Sequence, residues 1–266
     1  MTIELTDAQL ERYARHVILD EVGEEGQARL LAARVLVVGA GGLGAPVLLY
    51  LAAAGIGHLT IADPDTVEVS NLQRQVIHST ETIGLPKADS ARAAIARLDP
   101  DLRVTTVQEK VTVANAAALI GAHDIVVDGT DNFAARYLLN DACYFARVPL
   151  VSAALLRFEG QISTYKAHEP GENRPCYRCL FRSAPPPDLV PRCEQAGIFG
   201  AVAGVVGTMQ ATEVLKEILG LGDSLAGTLL LYDALGATVR RLKARRDPDC
   251  PLCGTHPTIL DLSQHA

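Results

Sequence analysis

Four of the six cysteines stand in two pairs, Cys176-Tyr-Arg-Cys179 and Cys250-Pro-Leu-Cys253. A Cys-x-x-Cys turn presents two thiolates to one ion, and four sulfurs complete a tetrahedral zinc sphere with no place left for water. The pattern predicts a structural Zn²⁺ site with Cys176, Cys179, Cys250 and Cys253 as ligands. The rival use, redox exchange, needs a thioredoxin-like βαβ setting that the sequence lacks. Because the pairs lie far apart, the metal would clip a proline-rich stretch to the C-terminal tail. Cys143 falls in an apolar helical stretch and reads as a core residue. Cys193 lies between Arg192 and Glu194, shortly before a long helical stretch. An adjacent cation and a helix N-terminus both lower a thiol pKa, so Cys193 is either a reactive thiol or an incidental loop cysteine.

A second constellation lies near the start of the chain. Val35 to Val38 is a short apolar run, followed by Gly39, Gly41 and Gly44 in G-x-G-x-x-G spacing and an apolar helical stretch from Leu43 to Ala54. One glycine of such a loop allows the tight turn, one lets the backbone approach a phosphate, and one lets helix and strand pack closely. The helix N-terminus offers unpaired N–H groups to an anion. The next apolar run, His58 to Ala62, ends in Asp63, placed to accept from a ribose hydroxyl. These residues form a mononucleotide-binding βαβ unit. The loop alone does not name its nucleotide, and its default occupant is a dinucleotide. Val35 to Gly57 carries no charge, yet its glycines and proline break it as a membrane span, and no positive flank supports one.

The elements that must position these residues follow from the pattern. A helix is expected from Thr6 to Leu19, capped by Thr6 or Asp7, with Gly23 and Gly26 breaking it before a second helix, Gln27 to Ala33. This N-terminal arm, residues 1–33, precedes the main domain, 34–266. Asp65 to Thr80 is a polar loop holding Asn71, Arg74 and His78. Lys87 opens a helix to Leu98, the unfavourable end for a cation, and is either kept for an anion or a solvated lysine. Further strands are expected at Leu102–Gln108, His123–Gly129 and Pro149–Ala153, separated by helices Val113–Ala122 and Asn132–Arg147. Thr130-Asp131-Asn132 then lies at the carboxyl edge where open α/β sheets bind ligands. Phe158–Lys166, Thr228–Tyr232 and Ala237–Leu242 read as later strands, Glu169–Pro191 as irregular, and Ile198–Leu219 as a long helix with small residues on one face. The whole is a Rossmann-like doubly wound α/β fold: a mainly parallel sheet, antiparallel C-terminal strands and a Cys₄ zinc knuckle.

The chain has 266 residues, 48% of them hydrophobic, and a net charge of −7. That length suits one large α/β domain, and the charge leaves no broad basic surface, which disfavours nucleic acid as a partner. Met1 to Gln9 has no signal-peptide character, so a cytoplasmic, reducing setting is expected, with no membrane partner.

Taken together, Arg12-Tyr-Ala-Arg15, Gly23-x-x-Gly26-Gln27, Gly39 to Gly44, Asn71-Leu-Gln-Arg74-Gln75, Lys87, Thr130-Asp131-Asn132, both cysteine pairs and Gly207-Thr-Met-Gln210 resemble the ubiquitin-activating-enzyme-like adenylyltransferases of the HesA/MoeB/ThiF family. The resemblance implies ATP-dependent adenylation of the C-terminal Gly-Gly carboxylate of a small ubiquitin-fold sulfur carrier, of the kind used for molybdopterin or thiamine. It implies that Gly39, Gly41, Gly42 and Gly44 cradle the nucleotide and that Asp63 holds its ribose. Arg74 and Lys87 would neutralise phosphates, Asn71 and Asn132 would help position them, and Asp131 would hold Mg²⁺. Arg15 would come from the second subunit of a homodimer. The chain ends soon after the second cysteine pair, without the rhodanese domain that some relatives append, so a separate sulfur donor, a cysteine desulfurase or rhodanese, is expected. Two other readings are an NAD-dependent oxidoreductase and a non-catalytic scaffold. The histidines form no proton-transfer set for the first, and intact Asp131, Arg74 and Lys87 speak against the second.

Overall fold

The computed structural model describes residues 4–171, 173–185 and 197–265. Its centre is a run of short parallel strands: β1 (Arg34–Val38), β2 (His58–Ala62), β3 (Arg103–Val107), β4 (Ile125–Asp128) and β5 (Leu150–Leu156). The chain then reverses into antiparallel β6 (Glu159–Tyr165), β7 (Thr228–Asp233) and β8 (Thr238–Lys243). The order across the sheet is β3-β2-β1-β4-β5-β6-β7-β8. Helices α4 (Gly44–Ala53), α5 (Lys87–Leu98), α6 (Val113–Gly121) and α7 (Phe133–Ala146) connect the parallel strands. The expected doubly wound, mainly parallel sheet with antiparallel C-terminal strands is the fold observed.

Alternation along the central strands explains why they are apolar on both sides. Val35 and Val37 enter one core layer with Leu48, Leu51, Ile61 and Ile95, while Leu36 and Val38 enter the opposite layer with Ile120, Leu139 and Leu150. Successive strand side chains point to opposite faces, so a strand covered on both sides must be apolar throughout. The long helix α9 (Gly200–Leu219) packs on α4. A Cβ on Gly207 would lie 2.4 Å from Pro46 Cγ, so part of the small-residue face serves close packing; Gly204 meets nothing within 4 Å and does not contribute.

Several boundaries differ from expectation. The first helix is two pieces, α1 (Asp7–Arg12) and α2 (Ala14–Val17), interrupted at Tyr13. The Tyr13 ring is buried and its hydroxyl donates to Asp99 at 3.3 Å, so a tertiary contact sets the break that periodicity cannot reveal. Thr6 is the N-cap, with a full capping box to Gln9. Gly23, with φ +57°, stands at the break before the second helix as expected, but Gly26 does not: α3 (Gly23–Ala32) starts at Gly23 and runs through Gly26. Gly26 is a packing residue, because a Cβ there would meet Val22 at 3.0 Å and Leu219 at 3.3 Å. The proline-rich stretch contains a short helix, α8 (Tyr177–Leu180), and Ile198 precedes α9 in a bridge to Arg157. No helix among the described residues is long and apolar enough to cross a membrane.

Candidate active site

The strand order reverses between β1 and β4, and their carboxyl ends open into a cavity of about 1120 Å³. This is where parallel α/β sheets bind ligands. The loops leaving the two strands touch. Gly39 has φ +94°, and a Cβ on it would lie 2.8 Å from the Gly129 carbonyl oxygen. Gly44 is tighter still, since a Cβ there would overlap the Gly39 carbonyl oxygen. Gly41 differs: the nearest atom to a Cβ would be Gln75 Nε2, at 3.7 Å, and the rest is open cavity. The turn, the close packing and the open approach thus fall on Gly39, Gly44 and Gly41 respectively. Gly42 lines the same wall, backed by Ala203 and Arg74.

Asp63, Asn71, Arg74, Lys87, Asp131 and Asn132 line this one cavity with the glycines. Asp63 is 4% exposed; one oxygen accepts from the Ala40 N–H at 2.7 Å and the other from the Asp65 N–H at 2.9 Å. Burial pushes its pKa up, against the pull of those two N–H groups and the Lys87 charge. Asn71 is buried and its Oδ1 accepts from the Glu68 N–H at 3.1 Å, which fixes the turn carrying Arg74. Arg74 donates to the Ser70 carbonyl at 3.0 Å. Lys87 is 7% exposed, so the solvated-lysine alternative fails; its Nζ reaches Asp65 at 3.0 Å.

Asp131 is exposed at the cavity wall, and Asn132, not Asp131, caps α7: its Oδ1 accepts from the Ala135 N–H at 2.9 Å. The Asp131 carboxylate is therefore not occupied by capping. Arg15 is not brought to this cavity. It is exposed on α2 and has no hydrogen-bond or ion-pair partner among the described residues. Its neighbours are anchored, His16 to Gln27 at 3.0 Å and Gln27 to the Ala54 carbonyl at 3.0 Å. Cys193 lies outside the described residues. Cys143 is buried, as expected of a core residue, and burial raises its thiol pKa.

Other lining residues were not singled out by sequence. Asp65, Arg136, Glu109 to Thr112, Gln264 and His265 all face the cavity. Arg136 had a usable signal, one helical turn after Asn132, whereas the tail residues had none. Gln75 is 4% exposed and its Oε1 is buried with no hydrogen-bond partner, an orphan acceptor beside the glycine loop. An open Gly41 and a helix start fit a phosphate-bearing ligand, while the orphan Gln75 oxygen, an acceptor, would take a donor group such as a hydroxyl or amine of a ligand.

The four paired cysteines converge elsewhere. All four Sγ atoms lie within 4.8 Å of one another, with 3.5 Å between Cys176 and Cys250, 3.4 Å between Cys179 and Cys253, and 3.8 Å between Cys176 and Cys179. Tetrahedral zinc with Zn–S near 2.3 Å requires sulfurs about 3.8 Å apart. The thiols are free rather than bonded in pairs, and the donor set fits a structural zinc ion.

The family model described as the ThiF family matches residues 13–252. The chain is 51% identical over 254 residues to the SAMP-activating enzyme E1 of Haloferax volcanii, covering 96% of this chain and 92% of that one. It is 50% identical over 260 residues to the sulfur carrier protein adenylyltransferase of Thermus thermophilus, covering 97% and 95%. A 47% match to the adenylyltransferase and sulfurtransferase MOCS3 of Culex quinquefasciatus covers 97% of this chain and 58% of the longer relative. Among solved structures, E. coli MccB with AMPCPP and MccA aligns with a TM-score of 0.77 at 24% identity over 91% of this chain and 74% of that one, a likeness of fold.

Proposed function

The chain belongs to the ThiF family, and we propose that it adenylates the C-terminal Gly-Gly carboxylate of a small ubiquitin-fold sulfur-carrier protein. The observation that carries this reading is the gathering of the glycine loop, Asp63, Asn71, Arg74, Lys87 and Asp131 around one cavity at the strand-order reversal. In the reaction, a carboxylate oxygen of the carrier attacks the α-phosphorus of ATP. The new bond is carboxylate O–Pα, the bond broken is Pα–O to the β-phosphate, and pyrophosphate leaves. A peptide C-terminus has a pKa of about 3.5 and is already ionised, so no general base is needed. What the protein must supply is alignment and charge neutralisation.

Each residue then has a task. Asp63 accepts from the ribose. The N–H groups at the glycine loop and the cations of Arg74 and Lys87 face the phosphates, with the ammonium of Lys87 held in place by Asp65. Asn71 keeps the turn of Arg74 rigid. Asp131, free of capping duty, would hold Mg²⁺, which adds positive charge on the phosphate oxygens when bound. Asn132 supports the site by starting α7. The Cys₄ cluster would hold Zn²⁺ in a structural role. Arg15, which does not line its own chain's cavity, would belong to the cavity of a second copy in a homodimer. A thiol such as Cys193 has no part in adenylation; it would act afterwards, attacking the acyl-adenylate with release of AMP, or attacking the outer sulfur of a persulfide on a separate donor, a cysteine desulfurase or rhodanese, with release of the donor's thiolate.

Titration with ATP·Mg²⁺ and with NAD separates this reading from an oxidoreductase. ATP should saturate the protein, and ATP–pyrophosphate exchange should require a carrier ending in Gly-Gly. Preferential saturation by NAD, or exchange indifferent to the carrier, would overturn it. Exchange retained in Cys193→Ala, with sulfur transfer lost, would place that thiol downstream of the adenylate.

A further inference from the structure

His78 lies in the polar loop between β2 and α5, is 7% exposed, and makes two hydrogen bonds. Its Nε2 lies 2.9 Å from the Ala40 carbonyl oxygen and its Nδ1 lies 2.8 Å from Ser90 Oγ. A carbonyl can only accept, so Nε2 carries the proton. In the neutral ring Nδ1 is then the acceptor, and the Ser90 hydroxyl donates to it. Burial, the largest influence, and the nearby Lys87 charge push the imidazole pKa down and outweigh the Ala40 hydrogen bond, which pulls it up. Ser90 belongs to α5, the helix that begins at Lys87, so one imidazole ties the lysine-bearing helix to the glycine loop.

Ala40 is held at both ends. Its N–H goes to Asp63 and its C=O to His78. A trans peptide is planar, with its C=O and the following N–H directed oppositely. Anchoring the Ala40 carbonyl on His78 therefore turns the Gly41 N–H the other way. Gly41 lines the cavity, and its N–H has no hydrogen-bond acceptor among the described residues. Gly41 also has no Cβ to block an approaching anion.

We infer that His78 is a positioning residue for nucleotide binding, whose neutral Nε2–H tautomer fixes the Ala40–Gly41 peptide so that the Gly41 N–H faces a phosphate oxygen. The inference rests on the cavity's being a nucleotide site, and it adds a residue whose role is to aim a backbone donor, with no contact to the reacting atoms.

Two substitutions separate aiming from space-filling. In His78→Gln the amide nitrogen sits near the Nε2 position and can still donate to Ala40. In His78→Asn the shorter amide reaches only the Ser90 side. The Asn variant should raise the KM for ATP in carrier-dependent ATP–pyrophosphate exchange about fivefold or more, the worth of roughly one hydrogen bond, and the Gln variant should restore most of it. Both should fold cooperatively, the Asn variant melting a little lower because the Ala40 carbonyl loses its donor. Equal KM values for the two folded variants would overturn the inference while leaving the nucleotide reading intact. Failure of the unsubstituted protein to saturate with ATP would overturn both. A readout independent of the variants is the ¹⁵N spectrum of the unsubstituted protein: His78 should be the neutral Nε2–H tautomer, and an Nδ1–H ring would overturn the inference.

Discussion

Arg178, set between Cys176 and Cys179, points away from the cysteine cluster and forks onto Asp141 of α7, with Nη2 2.7 Å from Oδ2 and Nε 2.8 Å from Oδ1. Asp141 is fully buried, and its Oδ2 is also 2.9 Å from Gln264 Nε2 and 2.8 Å from His265 Nε2. Gln264 and His265 line the cavity, so one carboxylate joins the cysteine cluster, the chain tail and the helix that starts behind Asp131. Removing one member of a buried, hydrogen-bonded ion pair strands the other. Asp141→Ala should therefore lower stability by about 3–5 kcal/mol in denaturant unfolding. Asp141→Asn, which keeps the shape and part of the hydrogen bonding, should cost less. Equal stability of Asp141→Ala and the parent would show that solvent reaches this pair.

The cysteine cluster makes a separate prediction. Purified protein should carry about one zinc per chain by metal analysis if the four thiolates share one ion. Cys179→Ser or Cys253→Ser should lose the zinc and melt at a lower temperature. ATP affinity should change only a few-fold, because the glycine loop, Asp63 and Lys87 hang on β1, β2 and α5, not on the cluster. An unchanged melting temperature on chelation would argue against a structural metal.

Stability should also depend on pH in a defined direction. Burial holds the pKa values of His58, His78 and His123 below the ordinary value of 6.5. For each, the unfolded chain binds a proton more readily than the folded one. Folding thus gains from the neutral rings above pH 6.5, and that gain is lost as pH falls from 6.5 through the folded values. The melting temperature should drop between pH 7 and pH 5, and His123→Asn should flatten part of the slope. A melting temperature that rises on acidification over this range would contradict the placement of these rings.

Most of the frame was legible because it depends on short-range pattern. Continuous apolar runs marked the central strands, and the glycine spacing marked the turn after β1 and the three duties its glycines share, though not that Gly39 makes the turn, Gly44 the packing and Gly41 the open approach. The two Cys-x-x-Cys pairs were legible as one cluster because ligand chemistry constrains spacing more than distance along the chain. What escaped was set by tertiary contact. Nothing local distinguishes Tyr13, whose burial against Asp99 splits the first helix, or shows that Gly26 accommodates Leu219. Asp65 and Arg136 reach the cavity through crossovers, and Gln264 and His265 arrive from the far end of the chain. Helix α7 starts one residue later than the expected Asn132, so that Asn132 is its N-cap, and that shift is what leaves Asp131 available.

Arg15 supplies the test of assembly. It is exposed, and its α2 backbone is fixed by the contacts of Tyr13 and His16 on either side, an arrangement suited to presenting a cation outward. If it completes the cavity of a second copy, Arg15→Ala and Asp131→Ala should each abolish carrier adenylation when pure. Mixed in equal amounts with free exchange of subunits, they form heterodimers in which one cavity has both residues and the other has neither. Random pairing makes half of the dimers mixed, so roughly a quarter of all cavities are intact and activity should recover to about that fraction. Two substitutions in one chain, mixed with the parent, should change in the opposite direction, activity falling on subunit exchange from about half to about a quarter. Each mixed dimer then has one cavity lacking Asp131 and the other lacking its Arg15, and only parent dimers remain active. Size-exclusion chromatography with light scattering should give a mass of twice 28.3 kDa. Recovery absent despite demonstrated subunit exchange would place Arg15 in its own chain's site or outside the reaction, and a monomeric mass would remove the trans arrangement altogether.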